Sequence, residues 1–218
     1  MCPSRVGASS ARRPLVVASI PIKSSEDLRT ALSISDADYV EIRLDYFDDP
    51  NSIDYTVFRG RNVIATLREH SEGGAKRFDP ETKKRLIKLW RDLGILYDVE
   101  ISFVERHGVD YEDAIVSIHL FDKPKSLREI RSSVKRYVDR AFAVKIATIP
   151  FKGYKKFLAG LLELGGNIAV MPMSTDPVER IAFALLGSKL VYGYVTEPTA
   201  RGQMHYRKVL EILKTLFT

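Results

Sequence analysis

Cysteine is almost absent from this chain: Cys2 is the only one in 218 residues. A single thiol excludes an intrachain disulfide framework and a cysteine-based metal site. It fits a reducing compartment, so a cytoplasmic location is expected. Histidine is scarce too. The four present, His70, His107, His119 and His205, share no spacing of the kind a zinc site needs, and no metal is expected. No apolar run approaches the roughly 18 residues of a membrane-spanning helix. The opening "MCPSRVGASSARRP" carries arginines but lacks an apolar core of signal-peptide length. Residues 1–13 are expected to be a flexible leader and residues 14–218 one domain. Nothing within that domain reads as a boundary, linker or low-complexity stretch.

Charge of one sign is in excess, but diluted. Lysine and arginine number 34 against 28 acids, a net charge of +6. A basic chain can bind nucleic acid. Here, however, the bases spread over the whole length and alternate with acids, as in "ETKKRLIKLWRD" and "KSLREIRSSVKR". That is the pattern of solvated helix faces with pairs three or four residues apart. Neither a nucleic-acid nor a membrane partner is expected, and an anionic small molecule accounts for the same excess.

What is abundant is short, continuous apolar sequence rich in β-branched residues. Eight such runs recur at fairly even spacing, over 14–20, 37–44, 62–67, 95–101, 113–120, 140–147, 167–173 and 189–195. Continuous rather than alternating runs predict strands covered on both faces. Helical patterns lie between them. "SSEDLRTALSIS" opens on serine with acids in its first turn, and "DPETKKRLIKLWRDLG" has Asp79 as a cap, Pro80 at the first helical position and Gly94 at the stop. "KPKSLREIRSSVKRYVD", "YKKFLAGLLELGGN", "TDPVERIAFALLG" and "GQMHYRKVLEILKTLF" supply four more. The links "SIDYTVFRG" and "VERHGVDYED" read equally as short helices or irregular chain. Eight strands alternating with helices predict an α/β fold, a single-domain (β/α)8 TIM barrel. The alternative, a doubly wound open sheet, would carry a glycine-rich turn after its first strand, and "ASIPIKSSED" has none.

Barrel enzymes work at the C-terminal ends of their strands, and the polar residues of this chain gather there. Ser19 ends the first strand. Glu41 and Arg43 lie in the second and share one orientation, as alternate residues do. Arg68 and then Glu72 follow the third. Asp98 and Glu100 lie in the fourth, Ser117 and His119 in the fifth, Lys145 in the sixth. Ser174 and Arg180 follow the seventh, and Thr199 and Gln203 the eighth. Charges inside a barrel must pair with one another or serve a ligand. One reading is an internal ion-pair network joining Glu41, Arg43, Lys145 and Glu100.

The other reading rests on Lys145, an ammonium-bearing side chain within "RAFAVKIA". Apolar surroundings lower a lysine's pKa, and a neutral amine adds to ketones and aldehydes to give an imine. His119, one strand earlier, is suited to shuttle protons. Arg43, Arg68 and Arg180 offer guanidinium forks for a carboxylate or phosphate. Class I aldolases share the lysine chemistry, yet many grip phosphate with glycine-rich backbone after strands seven and eight. "STDPVER" has no glycine and the final loop only Gly202, so a carboxylate fits better.

In "VEIRLDYF", "TLREHSEGG", "YDVEIS", "IVSIHLF", "VKIAT" and "TARGQ", taken in that order, the chain resembles type I 3-dehydroquinate dehydratase of the shikimate pathway. The resemblance runs nearly the whole length. It implies a (β/α)8 barrel, a homodimer without metal or coenzyme, and the dehydration of 3-dehydroquinate to 3-dehydroshikimate in aromatic amino acid biosynthesis. Carried over, it makes Lys145 the imine-forming lysine, His119 the general acid and base, and Glu72 the residue that holds the histidine. Arg180 would bind the substrate carboxylate; Ser19, Glu41, Arg43, Arg68, Thr199 and Gln203 would contact its other groups. Two departures stand out. Leu120 follows His119 where the family has Asp or Asn, and Arg201 replaces a proline in the final loop, recharging it.

Overall fold

The computed structural model describes residues 13–124 and 126–217. Of the expected leader only Arg13 falls within them; Cys2 and the rest lie outside the described residues.

The described residues alternate between strand and helix: β1 (Leu15–Pro21), α1 (Ser25–Ser33), β2 (Tyr39–Arg43), β3 (Val63–Thr66), α2 (Pro80–Asp92), β4 (Leu96–Glu100), α3 (Ile101–His107), β5 (Ile115–Leu120), α4 (Leu127–Lys135), β6 (Ala143–Thr148), α5 (Tyr154–Leu162), β7 (Ile168–Pro172), α6 (Val178–Leu185), β8 (Leu190–Tyr194) and α7 (Tyr206–Leu216). All strand pairings are parallel, in the order β7-β6-β5-β4-β3-β2-β1-β8. The barrel is nearly closed. At the remaining seam the Lys189 amide, just ahead of β8, donates to the Ile168 carbonyl of β7 at 2.8 Å.

Helix starts follow the sequence signals. Ser24 and Asp27 form a reciprocal capping box on α1, and Asp79 accepts from the Thr82 amide at 2.9 Å on α2, with Pro80 behind it. Between β2 and β3 three short 3₁₀ turns (Leu44–Tyr46, Pro50–Ser52, Tyr55–Phe58) stand where an α-helix would. Asp49 and Asp54 each cap one of them, and Tyr55 and Phe58 plug the core. After β4 the chain turns directly into α3. The sixth strand begins at Ala143, not at 140 as the apolar run predicts, because the Tyr137 carbonyl takes the amides of Arg140 and Ala141 in a turn. The solvated face expected of "ETKKRLIKLWRD" also needs correction. Lys83 is 1% exposed and shares the buried face of α2 with Leu86, Ile87 and Trp90.

The outward faces of the strands pack under the helices. The inward faces divide into two levels. Val17, Ile64, Ile115, Ala143, Ala169 and Leu190 make an apolar floor. Two residues further along the same strands stand Ser19, Thr66, Ser117, Lys145, Met171 and Tyr192, joined by Glu41 and Asp98. The period of two thus lifts a polar layer onto an apolar base. No helix among the described residues is long and apolar enough to cross a membrane.

Candidate active site

A cavity of about 400 Å³ opens at the C-terminal ends of the strands. Of the side chains singled out from the sequence, Glu41, Arg43, Arg68, Glu72, His119, Lys145, Arg180, Thr199 and Gln203 line it. Ser19 stands one step back, fully buried, with its hydroxyl donating to Glu41 Oε2 at 2.6 Å.

Register brings the central pair together. Lys145 is opposite Ser117 on β5, and His119 lies two residues beyond Ser117 on the same face. Lys145 is 5% exposed. Its Nζ donates to Asp98 Oδ2 at 2.5 Å and lies 4.8 Å from the centroid of the Tyr192 ring. Burial pulls the amine below its ordinary 10.5, and Arg68 adds to the effect while Asp98 opposes it. Asp98 is itself shared: Oδ1 accepts from Ser117 Oγ at 2.6 Å and pairs with Arg68 Nη2 at 2.9 Å. Burial alone would raise the Asp98 carboxyl, but Arg68 and Lys145 outweigh it and hold it well below 3.8.

The ion chain continues outward. Arg68 Nη1 donates to Glu100 Oε1 at 2.7 Å and to Ser117 Oγ at 2.7 Å, and Glu100 Oε2 takes Lys83 Nζ from α2. Each charge of this chain, from Lys145 through Asp98, Arg68 and Glu100 to Lys83, therefore has an opposite partner, the condition on which such a chain is stable. The network expected from the sequence exists, with different partners. Glu41 accepts from Ser19 and from Thr66 Oγ1, the latter at 2.9 Å, while Arg43 forms a two-point fork with Asp45 at 2.8 and 2.9 Å.

His119 is set by the loop after β3. Glu72 Oε2 accepts from the His119 amide at 2.9 Å and lies 3.0 Å from its Nδ1, and Oε1 takes the Ser102 hydroxyl at 2.8 Å. With Nδ1 carrying a proton toward Glu72, Nε2 is left as the basic nitrogen. Burial and the nearby Glu100 push Glu72 up to about 7. Burial, Arg68 and Lys145 hold His119 well below 6.5. The environment therefore favours the neutral imidazole. The loop that carries Glu72 turns on Gly73 at φ 85° and closes so tightly that a Cβ on Gly74 would sit 2.1 Å from the Arg68 carbonyl oxygen.

Across the cavity stands Arg180, 5% exposed, at the start of α6. Nη2 donates to the Arg201 carbonyl at 2.7 Å, whereas Nε has no partner among the described residues. Burial pulls the guanidinium down to about 10. Arg43 and Arg68 are held by carboxylates; Arg180 has none among the described residues. Gln203 Oε1 accepts from the amides of Thr199 and Ala200 at 2.7 and 3.1 Å, and Thr199 Oγ1 lies 3.1 Å from Ser19 Oγ. The final loop thus closes on Arg180 through the Arg201 backbone, with the Arg201 side chain exposed.

Sequence reasoning noticed Asp98 without giving it a role and did not single out Tyr192 or Lys83. The spacing of Lys83 with Leu86, Ile87 and Trp90 at i+3, i+4 and i+7 was the signal for the last. Among the described residues no cluster of three or more His, Cys, Asp or Glu is arranged to hold a metal. Chemically, the site combines an amine depressed by burial, a neutral imidazole oriented by a carboxyl, and a cation without a carboxylate partner among the described residues.

A family model described as "Type I 3-dehydroquinase" matches residues 16–153. The chain is 43% identical over 206 residues to 3-dehydroquinate dehydratase of Saccharolobus solfataricus, covering 92% of this chain and 93% of that one. It is 43% identical over 206 residues to the same-named protein of Metallosphaera sedula, covering 94% and 99%. In fold it is similar to the type I 3-dehydroquinate dehydratase of Clostridium difficile, with a TM-score of 0.75 at 22% identity over 95% of this chain and 94% of that one.

Proposed function

Because the chain belongs to the type I 3-dehydroquinase family and is a hydro-lyase, a 3-dehydroquinate dehydratase, we propose that it works through a Schiff base on Lys145. The neutral amine adds to the ketone of 3-dehydroquinate, and loss of water leaves a protonated imine. That cation is an electron sink for the neighbouring carbon. His119 then suffices to remove the C2 proton, which from the ketone itself would be beyond an imidazole. The same histidine returns a proton to the departing hydroxyl, and hydrolysis of the imine frees 3-dehydroshikimate and the lysine.

The rest of the cavity has assigned parts in this reading. Arg180 takes the substrate carboxylate, which supplies the anion its guanidinium lacks. Glu72 holds His119 by Nδ1. Glu41, Arg43, Arg68, Thr199 and Gln203 meet the remaining polar groups, and Ser19 acts from behind Glu41. The enzyme belongs by this account to shikimate-pathway biosynthesis in the cytoplasm, works as a homodimer, and requires neither metal nor coenzyme.

The observation that carries the reading is the environment of Lys145: a buried amine, depressed by burial, next to an imidazole that is itself held neutral. Borohydride added with 3-dehydroquinate is expected to fix a reduced adduct on Lys145, found by peptide mass. Turnover without any adduct would reject the imine. His119→Ala is expected to slow turnover by about 10²- to 10⁴-fold while the chain still binds substrate.

A further inference from the structure

Four buried side-chain atoms among the described residues have no hydrogen-bond partner: Trp90 Nε1, Asn167 Oδ1, Arg180 Nε and the Tyr192 hydroxyl. Of these residues only Arg180 and Tyr192 line the cavity. The first is accounted for by a substrate carboxylate. The second has no use in the mechanism above. Leaving a buried hydroxyl unpaired is costly, and a phenylalanine would fill the same space without that penalty.

We propose that the Tyr192 hydroxyl is a catalytic hydrogen-bond donor to the oxygen on the carbon that Lys145 attacks. The proposal rests on the imine reading. Tyr192 occupies β8 at the level of Lys145, is 4% exposed, and holds its ring 4.8 Å from Lys145 Nζ. An oxygen on the carbon bonded to Nζ is only two bonds from that nitrogen, so it forms beside this ring. The other hydroxyls of the layer are already engaged. Ser19 and Thr66 donate to Glu41, and Ser117 donates to Asp98. Tyr192 alone in that layer keeps an uncommitted O–H. Burial, with Glu41 and Asp98 nearby, holds its phenol well above 10, so it remains a donor throughout the working range.

The step balances as follows. The Lys145 lone pair forms the C–N bond, and the carbonyl π pair moves onto oxygen. One proton passes from nitrogen to that oxygen, giving the neutral carbinolamine. A second proton, drawn from solvent and relayed by His119, leaves with the hydroxyl as water, and the nitrogen lone pair closes the C=N bond of the iminium. Tyr192 keeps its proton throughout. Its hydrogen bond strengthens as charge gathers on oxygen, the condition under which a fixed donor accelerates a reaction rather than merely tightening binding.

Tyr192→Phe deletes only the hydroxyl. The expected result is a fall of roughly 10- to 10²-fold in kcat, at or below that for losing one oxyanion donor. The rate of borohydride-trapped adduct on Lys145 should fall by the same factor, with KM little changed and Tm unchanged or higher. Adduct formation and turnover both within about twofold of wild type would overturn the proposal and leave the imine intact. A rate loss accompanied by a lowered Tm would assign the effect to packing and equally overturn it. Absence of adduct in the active wild type would sink the imine reading itself, and this proposal with it.

Discussion

Replacing Arg180 by methionine separates what the folded chain tolerates from what its substrate requires. The guanidinium is buried without a carboxylate, and burial pulls it from 12.5 to about 10. The folded state therefore holds this proton less tightly than the unfolded chain. The penalty is present in full below about pH 10 and fades only as pH rises through that gap. At ~1.4 kcal/mol per pH unit the gap corresponds to about 3 kcal/mol. Against this stands the hydrogen bond from Nη2 to the Arg201 carbonyl, worth about 1.5–3 kcal/mol for a charged donor. Methionine has similar reach and no charge, so the variant is expected to gain up to about 1.5 kcal/mol, or roughly 3–6 °C in Tm. Binding should move the other way. Losing one partner of a buried ion pair costs about 2–5 kcal/mol, or ~30- to several-thousandfold in kcat/KM. Calorimetry at neutral pH and steady-state assay of enone formation read the two effects. A Tm lowered by more than about 4 °C would make Arg180 a structural brace, and a kcat/KM within about tenfold of wild type would refute its role as the anion site.

Two further outcomes follow from the ion chain and from the histidine's partner. Lys83→Met leaves Glu100 short of a buried cation and should cost about 3 kcal/mol in urea unfolding, with Lys83→Arg recovering part; a loss under ~1 kcal/mol would show that Arg68 alone suffices. Glu72, raised from 4.5 to about 7, favours its protonated form in the folded state, so its contribution is present below 4.5 and lost as pH climbs through about 7. Glu72→Gln mimics the protonated form. Its Tm should match wild type near pH 4 and exceed it near pH 8; a constant difference across that range would show that the carboxyl does not titrate in this window.

The strands were legible because each is covered on both faces and so reads as unbroken apolar sequence. Their edges were not: in "RAFAVKIA" turn residues that are themselves apolar run straight into β6. The polar residues of the site were legible for the same reason the strands were, since a Glu, Lys or His within such a run has no solvent to face. Their partners were hidden. Glu41 and Arg43 point the same way two residues apart, yet pairing is decided by what β1, β3 and the following turn present to them, and register across strands cannot be read from one strand's spacing. Lys83 was masked by its neighbours, because a run of charges looks solvated unless its apolar face is traced at helical period. Tyr192 was masked by chemistry: an aromatic in a strand is ordinarily core, and only the lack of a partner for its oxygen marks it as anything else.

The seam between β7 and β8 has a consequence for how such a catalyst can change. His119 and Lys145 sit on β5 and β6, strands laced together from Ile115 opposite Ala143 to Leu120 opposite Thr148. Arg180 follows β7, and Thr199 and Gln203 follow β8, on the two lips of the one gap that the ladders do not span. On the proposed mechanism, the ring is split on the side that would grip the substrate and riveted on the side that would react with it. By the same account, a change in the lips would alter what is gripped while the β5–β6 ladder keeps the amine and imidazole in place.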